Sequence, residues 1–390
     1  MGLLDLFRPN WLHSNPTIRL RALESISDSK TLIRIAREDA DDDVRQAAIR
    51  RIDDGEVLSR IAMTGPIAGA HRAALAKIDD QSAIARIVTS AMDLRVREAA
   101  VEKVTDQTFL ASLMAGASPS SIRVAAASAL SDQEQLARLA EDDPDAKVRA
   151  SAAAKLTDFT LQQKLASSDK ESAVRLAAAS GDEGLLAKLA TDDEDPSNRE
   201  AAIEMIASQE SLFEIASKEM DVGTDLLGDQ FVKRGSQDAA LDRLTDERLL
   251  TAIAGKADDQ RLVRAAVDKL SDKDRLRQVL TSDNWFAREA AAKKVGDPVV
   301  LLELITGEQD LDVLQAAVDR LADPMFDASL SSRDVAASLE LAQSALRNTA
   351  DAETAQAGSK RIITGSMPSA EKIATHFDRV VDKARSGPSS

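Results

Sequence analysis

A short pattern of apolar and basic positions recurs along most of the chain. It is clearest at 44–52, where an apolar residue, an arginine, paired alanines and a closing aliphatic residue follow one another. The basic position recurs at multiples of about 26 residues, and His71 fills the one gap. Its members are Arg19, Arg45, Arg97, Arg123, Arg149 and Arg175. A period of this length predicts stacked structural units, each of which buries its apolar face against its neighbours.

Each unit is predicted to contain two short helices. The first, helix A, carries the recurring pattern and ends near the closing aliphatic residue. An aspartate two residues later stands where the N-cap of a second helix, helix B, belongs. This position holds Asp28, Asp54, Asp80, Asp106, Asp132 and Asp158. Acidic loops such as 38–43 then lead into the next unit. The pattern therefore predicts an all-α chain of about twelve helical hairpins.

The regularity defines the predicted segments of the chain. Between the closing residues Ile206 and Leu244 the interval is longer than 26 residues, which indicates an insertion. After the array, Phe377 and its neighbours show the spacing of an amphipathic helix, which is typical of a terminal cap. The predicted segments are an N-terminal cap at 1–14, an array at 15–218, an irregular insertion or bend at 219–235, a second array at 236–331, a helical cap at 332–384 and a disordered tail at 385–390.

Composition narrows the possible chemistry. A net charge of -16 argues against a general nucleic-acid coat or a protein that binds anionic membranes. The chain has no Cys, which excludes disulfides and Cys-ligated zinc and fits a cytoplasmic location. No apolar run approaches the roughly 18 residues that span a bilayer. The sequence contains no Walker loop, no GlyXaaSerXaaGly and no HisGluXaaXaaHis, so we expect no catalytic site, no metal and no cofactor.

Two stretches carry a family resemblance. AspAlaAspAspAspValArgGlnAlaAla (39–48) and AspProAspAlaLysValArgAlaSerAla (143–152) resemble short HEAT-like repeats of the bilin-lyase type. The resemblance extends over roughly residues 13–331. It implies a right-handed α-α superhelix, with helix A on the convex side and helix B on the concave side, that scaffolds macromolecules. It also implies an alternative function as a bilin-lyase-like chaperone or enzyme.

The recurring arginine is expected to be structural. On a helical wheel Arg45 falls inside the apolar face of helix A, where an unpaired charge is very costly. An aspartate precedes the arginine by six residues in several units. The family resemblance implies that these residues form a ladder between neighbouring hairpins. The predicted arginine ladder comprises Arg45, Arg97, Arg123, Arg149 and Arg175 with Asp39, Asp143 and Asp169.

A second column lies on helix B, at the sixth residue after the N-cap. The helical wheel turns this position toward solvent. It is basic in six of the first seven units, with Ser112 as the exception. These residues, the basic stripe, are Arg34, Arg60, Arg86, Arg138, Lys164 and Lys188. Two interpretations remain: the cations favour the C-terminal half of a helix or pair with acidic loops, or they bind a partner.

The sequence therefore predicts a non-catalytic, cytoplasmic scaffold that binds a protein on its helix-B face through the basic stripe. The alternative partner is single-stranded nucleic acid or another polyanion. The acidic loops would flank the stripe with negative charge and disfavour a bulky rod such as duplex DNA. No membrane partner is expected.

Overall fold

The computed structural model describes residues 9–64, 68–115, 118–218, 228–326, 330, 335–357 and 369–386. These residues form 25 α-helices and short 3₁₀ turns, and they contain no β-strand. The described residues form the all-α helical hairpins that the period predicts. By its internal contacts the chain divides into two compact units, residues 1–185 and 186–390. The division falls within one helix, where the sequence shows no large break.

The first unit opens with a 3₁₀ turn at Asn10–Leu12, and its helices alternate between type A (odd numbers) and type B (even numbers). They are α1 Pro16–Leu23, α2 Ser29–Glu38, α3 Asp42–Arg50, α4 Gly55–Thr64, α5 Ala68–Ala76, α6 Gln81–Ser90, α7 Leu94–Val101, α8 Gln107–Ala115, α9 Ser120–Ala129, α10 Gln133–Asp142, α11 Ala146–Ala153, α12 Phe159–Ser168 and α13 Ser172–Ala179. The next B helix, α14 Glu183–Asp192, contains the division between the units.

The second unit continues the alternation and ends in two longer helices. Its helices are α15 Pro196–Met205, α16 Gln209–Ser217, α17 Gly228–Arg243, α18 Glu247–Lys256, α19 Gln260–Lys269, α20 Lys273–Leu280, α21 Trp285–Lys294, α22 Pro298–Gly307, α23 Leu311–Leu321, α24 Ala336–Ala357 and α25 Ala370–Ser386.

The A helices form the centre of each stack. Within each unit, successive A helices pack against each other, as α3 does on α1 and α5 does on α3. The B helices α2 to α12 and α16 to α22 each pack closely against the A helix that follows, as α2 does on α3. One alanine column lies fully buried on the A helices of the first unit: Ala48, Ala74, Ala100, Ala126, Ala152 and Ala178. These small side chains let neighbouring A helices approach closely, and the closing aliphatic residues fill the space beside them.

The predicted N-caps of the B helices are present. Asp28 accepts hydrogen bonds from the backbone N–H groups of Lys30 and Thr31 at 3.3 and 3.0 Å. The equivalent residues that cap α4, α6, α8, α10 and α12 are Asp54, Asp80, Asp106, Asp132 and Asp158. Such a cap typically contributes about 1 kcal/mol to helix stability. The caps fix where each B helix begins and therefore which of its positions face solvent.

The insertion differs from its sequence-based description. Residues 228–235 are not a separate irregular element, because they form the first half of α17, a helix of 16 residues. Gly235 lies inside this helix, and a Cβ added there would meet nothing within 4 Å. An isolated glycine costs a helix only about 1 kcal/mol, so it need not end one. The rest of the predicted insertion, 219–227, lies outside the described residues.

The predicted C-terminal cap consists of two helices. α24 packs against α22 and α25, and α25 packs against α23. Ile373, Phe377 and Val381 are fully buried on one face of α25, as their spacing predicts. α25 continues to Ser386, and the remainder of the predicted tail lies outside the described residues. Of the predicted N-terminal cap, residues 1–8 also lie outside them, and the turn at Asn10–Leu12 packs against α1.

Candidate functional site

Where its carboxylate is present, the arginine ladder joins one hairpin to the next. Arg149 donates from Nε and Nη2 to the two carboxylate oxygens of Asp169, both at 3.0 Å. Its Nη1 donates to the backbone carbonyl of Asp143, also at 3.0 Å. The side chains of Arg149 and Asp169 are only 6% and 8% exposed. The arginine therefore meets the carboxylate of the following repeat, 20 residues later, and only the backbone of the aspartate six residues before it.

The same bidentate geometry recurs where an acid stands 20 residues after the arginine. The pairs are Arg19 with Asp39, Arg123 with Asp143, and Arg288 with Glu308. Each carboxylate also accepts a hydrogen bond from a backbone N–H two residues later, as Asp143 does from Asp145 at 2.9 Å. One carboxylate thus forms an ion pair with the arginine of the preceding A helix and a hydrogen bond with the loop before the next A helix. This role is structural, because both partners of each pair are largely buried.

Two members of the predicted ladder depart from this arrangement. Arg45 pairs with Asp42 at 2.8 Å and donates to the backbone carbonyl of Asp39 at 2.6 Å. Among the described residues, the buried Nε atoms of Arg45 and Arg97 have no hydrogen-bond partner. The residues 20 positions after Arg45, His71 and Arg97 carry no carboxylate: they are Gly65, Ala91 and Ala117. Arg175 donates to the backbone carbonyl of Asp169 at 2.8 Å. The carboxylates of the ladder are therefore missing over three consecutive repeats.

Two ladder acids, Asp169 and Glu308, have pKa values below their usual range. Burial alone raises the pKa of Asp169, but the hydrogen bonds from Arg149 and from the Glu171 N–H lower it further, so the net pKa is depressed. Burial likewise raises the pKa of Glu308, and the hydrogen bond from Arg288 together with backbone N–H groups outweighs it. A carboxylate whose pKa is lower in the folded than in the unfolded state stabilises the folded state when ionised.

This difference predicts an acid-dependent loss of stability. The contribution of Asp169 is fully present above the unfolded pKa, near 4, and is lost as pH falls through the lower folded pKa. We expect Asp169→Asn to unfold at a lower urea concentration than the wild type at pH 7, with the difference shrinking as pH falls below the unfolded pKa and through the lower folded pKa. Urea unfolding of both proteins at a series of pH values measures this. A gap that stays constant with pH would contradict the assignment.

A second set of side chains connects the repeats at the ends of the A helices. Lys103 donates from Nζ to the backbone carbonyls of Leu75, Ala76 and Ile78, at the end of the preceding A helix, at 3.0, 3.2 and 2.6 Å. Gln81 extends in the opposite direction and donates to the carbonyl of Lys103 at 3.1 Å. Lysines with the same role are Lys77, Lys155, Lys269 and Lys294. These cations cap the backbone of a neighbouring repeat, so they are not candidates for partner binding.

The residues of the basic stripe are all exposed on the B helices. Three of them pair with glutamates: Arg34 with Glu38 at 3.1 Å, Arg138 with Glu134 at 2.5 Å and Lys164 with Glu141 at 2.7 Å. Arg34 also lies over the Trp11 ring, 5.4 Å from its centre. Exposed pairs of this kind contribute at most about 1 kcal/mol. Half of the stripe is thus weakly neutralised by acids of the chain itself.

The other three stripe residues have no such partner. Among the described residues, no acid lies within 4.0 Å of the charged groups of Arg60, Arg86 or Lys188. Glu56 lies four residues before Arg60, the same spacing as between Glu134 and Arg138. Glu56 nevertheless forms no salt bridge with Arg60. Arg86 interacts at longer range with Asp80 and contributes to the lowered pKa of that N-cap, after the hydrogen bonds from Ser82. α4 and α6 pack directly against each other, so Arg60 and Arg86 lie at equivalent positions of neighbouring helices, about 10 Å apart.

The column that carries the stripe changes character in the second unit. Counted six residues from the N-caps of α16, α18, α20 and α22, it reads Glu214, Ala252, Gln278 and Glu303. Electrostatic preference for the C-terminal half of a helix applies equally to every B helix. That preference therefore does not explain why the column is basic on the early helices and acidic or neutral on the later ones.

Other features of the described residues offer little chemistry. They contain no group of three or more His, Asp or Glu that could hold a metal ion. A groove of about 670 Å³ between α20 and α22 is lined by Leu280, Val300 and Leu304. Its charged lining residues Arg288 and Glu308 already form a ladder ion pair with each other. No helix among the described residues has both the length and the apolar character that crossing a bilayer requires.

No protein-family model and no curated protein matches the chain. Among solved structures, it is similar to the Kap95:Nup1 complex, with 12% identity and a TM-score of 0.34, and to importin beta in an ammonium sulfate condition, with 12% identity and a TM-score of 0.30. Both matches cover 96% of this chain and 66% of the other one. At these TM-scores the structural similarity carries no argument about function. The functional proposal therefore rests on the geometry of the site.

Proposed function

We propose that this chain is a non-catalytic scaffold that binds a protein partner through the basic stripe of its first unit. The residues concerned are Arg34, Arg60, Arg86, Arg138 and Lys164. The observation that carries this proposal is the change along one structural column, which is basic on the early B helices and becomes acidic or neutral later. Helix formation does not require that change, so partner recognition is the better explanation. Lys188 holds the equivalent position on α14.

A protein segment is the favoured class of partner. The chain carries a net charge of -16, so its overall field repels a large polyanion, and acidic loops border the stripe. An anionic protein segment places fewer charges near those loops than a nucleic-acid rod does. Single-stranded nucleic acid is the alternative, and salt dependence separates the two, since binding to many phosphates weakens steeply as salt rises.

The test is a triple charge reversal with a matched control. Arg34→Glu, Arg60→Glu and Arg86→Glu change only exposed side chains, so we expect an unchanged thermal midpoint to within a few degrees, since surface substitutions cost little. Capture of the native partner from nuclease-treated extract, read by quantitative mass spectrometry, should be lost. Reversing the exposed Arg50, Arg72 and Arg95 on the A helices makes the same change in net charge and should leave capture intact. Wild-type capture by the stripe variant would refute the proposal.

A further inference from the structure

We propose that the partner docks on a narrower surface within the basic stripe, formed by Arg60, Met63, Arg86 and Met92 on α4, α6 and the loop after α6. Its ligand is an extended, acidic protein segment that carries an apolar side chain. This inference rests on the proposed function and specifies where the partner binds and by what chemistry. We call these four residues the α4–α6 surface.

The first observation concerns compensation of charge on the B helices. Arg60 and Arg86 are exposed and adjacent, and no acid among the described residues lies within salt-bridge distance of either. By contrast, Arg34, Arg138 and Lys164 each hold a glutamate. Neither α6 nor α8 contains any Asp or Glu. The guanidinium groups of Arg60 and Arg86 are therefore the ones that gain most from an external carboxylate, because no internal pair has to be broken first.

The second observation concerns the loops beside these helices. After α2, α10 and α12 the loop supplies the ladder carboxylate, from Asp39, Asp143 and Asp169. After α4, α6 and α8 the same position holds Gly65, Ala91 and Ala117. Residues 55–118 accordingly contain as many basic as acidic residues, seven of each, in a chain with a net charge of -16. The ladder carboxylate is thus missing after α4, α6 and α8, and α6 and α8 also contain no acid of their own, which leaves this part of the molecule receptive to an anion.

The third observation is an apolar side chain left in solvent at this place. Met92 is 82% exposed, more than any other large apolar side chain among the described residues. Its backbone N–H donates to the carbonyl of Met63 at 3.2 Å, so the loop after α6 lies against the C-terminal end of α4. Methionine is flexible and polarisable and packs against irregular apolar surfaces. An apolar residue of the partner that covers Met92 would remove this surface from water.

The spacing of the cations and the scarcity of aromatic residues favour an extended peptide over RNA. Neighbouring hairpins are about 10 Å apart, and an extended chain advances about 3.3 Å per residue, so carboxylates three residues apart match Arg60 and Arg86. Proteins that bind single-stranded nucleic acid rely on aromatic side chains for base stacking. Between residues 55 and 118 the sequence has one aromatic residue, Phe109. The surface supplies positive charge and an apolar contact, which is what an acidic peptide with an apolar residue requires.

The test uses synthetic probes and the full chain. The main probe is a fluorescein-labelled peptide of about nine residues, long enough to span three hairpins, with Glu at every third position, one Leu and otherwise Ser. Companion probes replace Leu by Ser or every Glu by Gln, and oligouridylate of similar length represents RNA. Fluorescence anisotropy gives the affinity of each probe for the wild type and for three variants: Arg60→Glu/Arg86→Glu, Met92→Ser, and the control Arg138→Glu/Lys164→Glu.

We expect the main peptide to bind the wild type and to lose at least about tenfold in affinity with Arg60→Glu/Arg86→Glu, because attraction becomes repulsion at both contacts. Met92→Ser, or the peptide without Leu, should each lose about threefold, as expected for one partly buried apolar contact. The control double reversal carries the same change in net charge and should stay within about twofold of the wild type. Circular dichroism confirms that the variants are folded, and Arg60→Gln/Arg86→Gln should give an intermediate loss.

Several results would overturn the inference. Absence of peptide binding to the wild type would do so, as would equal losses from the two double reversals, which would assign binding to the whole stripe. Tighter binding of oligouridylate that is also lost with Arg60→Glu/Arg86→Glu would replace the acidic peptide by nucleic acid. The proposed function is judged separately, by capture with the triple variant, so it can stand when the α4–α6 surface fails.

Discussion

Replacing Arg149 with alanine is expected to lower the free energy of unfolding by about 3 kcal/mol, the cost of removing one partner of a buried ion pair. The guanidinium makes two hydrogen bonds to the carboxylate of Asp169 and one to the carbonyl of Asp143. Without it, Asp169 keeps its charge and its burial but loses its counterion. The expected loss comes mainly from this unpaired carboxylate and less from the packing of the arginine stem.

The chain offers a matched control for this prediction. Arg97 occupies the same position on α7, and the residue 20 positions later is Ala117, so Arg97→Ala leaves no ladder carboxylate unpaired. We expect Arg97→Ala to cost about 1 kcal/mol or less, since mainly contacts of its stem are lost. Urea unfolding at pH 7 measures both variants. Equal costs for Arg149→Ala and Arg97→Ala would show that the buried carboxylate is not the source of the effect.

A double variant separates the pair from its surroundings. In Arg149→Met/Asp169→Asn both charges are removed together, and a neutral pair is far cheaper to bury than a lone carboxylate. We expect the double variant to be more stable than Arg149→Ala alone, although the backbone contact with Asp143 remains lost. A double variant that is less stable than either single variant would indicate that the two residues act independently.

The repeat architecture could be predicted because its causes are local. N-caps, alanine columns and closing aliphatic residues each depend on a few neighbouring positions. The roles of Asp28 and Ala48 can therefore be recognised from the sequence around them alone. Ladder pairing is different. An aspartate stands both 6 residues before and 20 residues after Arg149, and the conformation of the loops decides which carboxylate meets the guanidinium. The sequence pattern alone drew attention to Asp143, whereas the structure pairs Arg149 with Asp169.

The basic stripe shows a similar limit. Its exposure follows from the helical wheel, but which cations are neutralised depends on side-chain conformations that spacing does not determine. Glu134 pairs with Arg138, while Glu56 has the same spacing from Arg60 and does not pair. The hydrogen bonds of Lys103 to the preceding repeat also could not be predicted from the sequence, because they join residues about one repeat apart through backbone carbonyls. Sequence periodicity therefore leaves undetermined both which exposed charges pair within a helix and which side chains join neighbouring repeats.

The C-terminal cap leads to the second large effect. Phe377 is fully buried on α25 and is among the largest side chains with no exposed surface. α25 packs against α23 and α24, and Phe377 lies on the same buried face of α25 as Ile373 and Val381. Terminal repeats have no further neighbour to cover their apolar face, and a cap supplies that cover. Removing the ring leaves a cavity on the buried face of the helix that covers α23.

We expect Phe377→Ala to cost about 3–5 kcal/mol, the usual range for a buried phenylalanine. Leu341 on α24 is 62% exposed, so Leu341→Ala is the matched control and should change stability by less than about 0.5 kcal/mol. Urea unfolding measures both costs, and amide hydrogen exchange locates them. Exchange in Phe377→Ala should accelerate first over 370–386 and then over α22 and α23, while α2 to α6 keep their protection. If exchange over α22 and α23 stays at the wild-type rate while α25 exchanges freely, the last repeat does not depend on the cap for its stability.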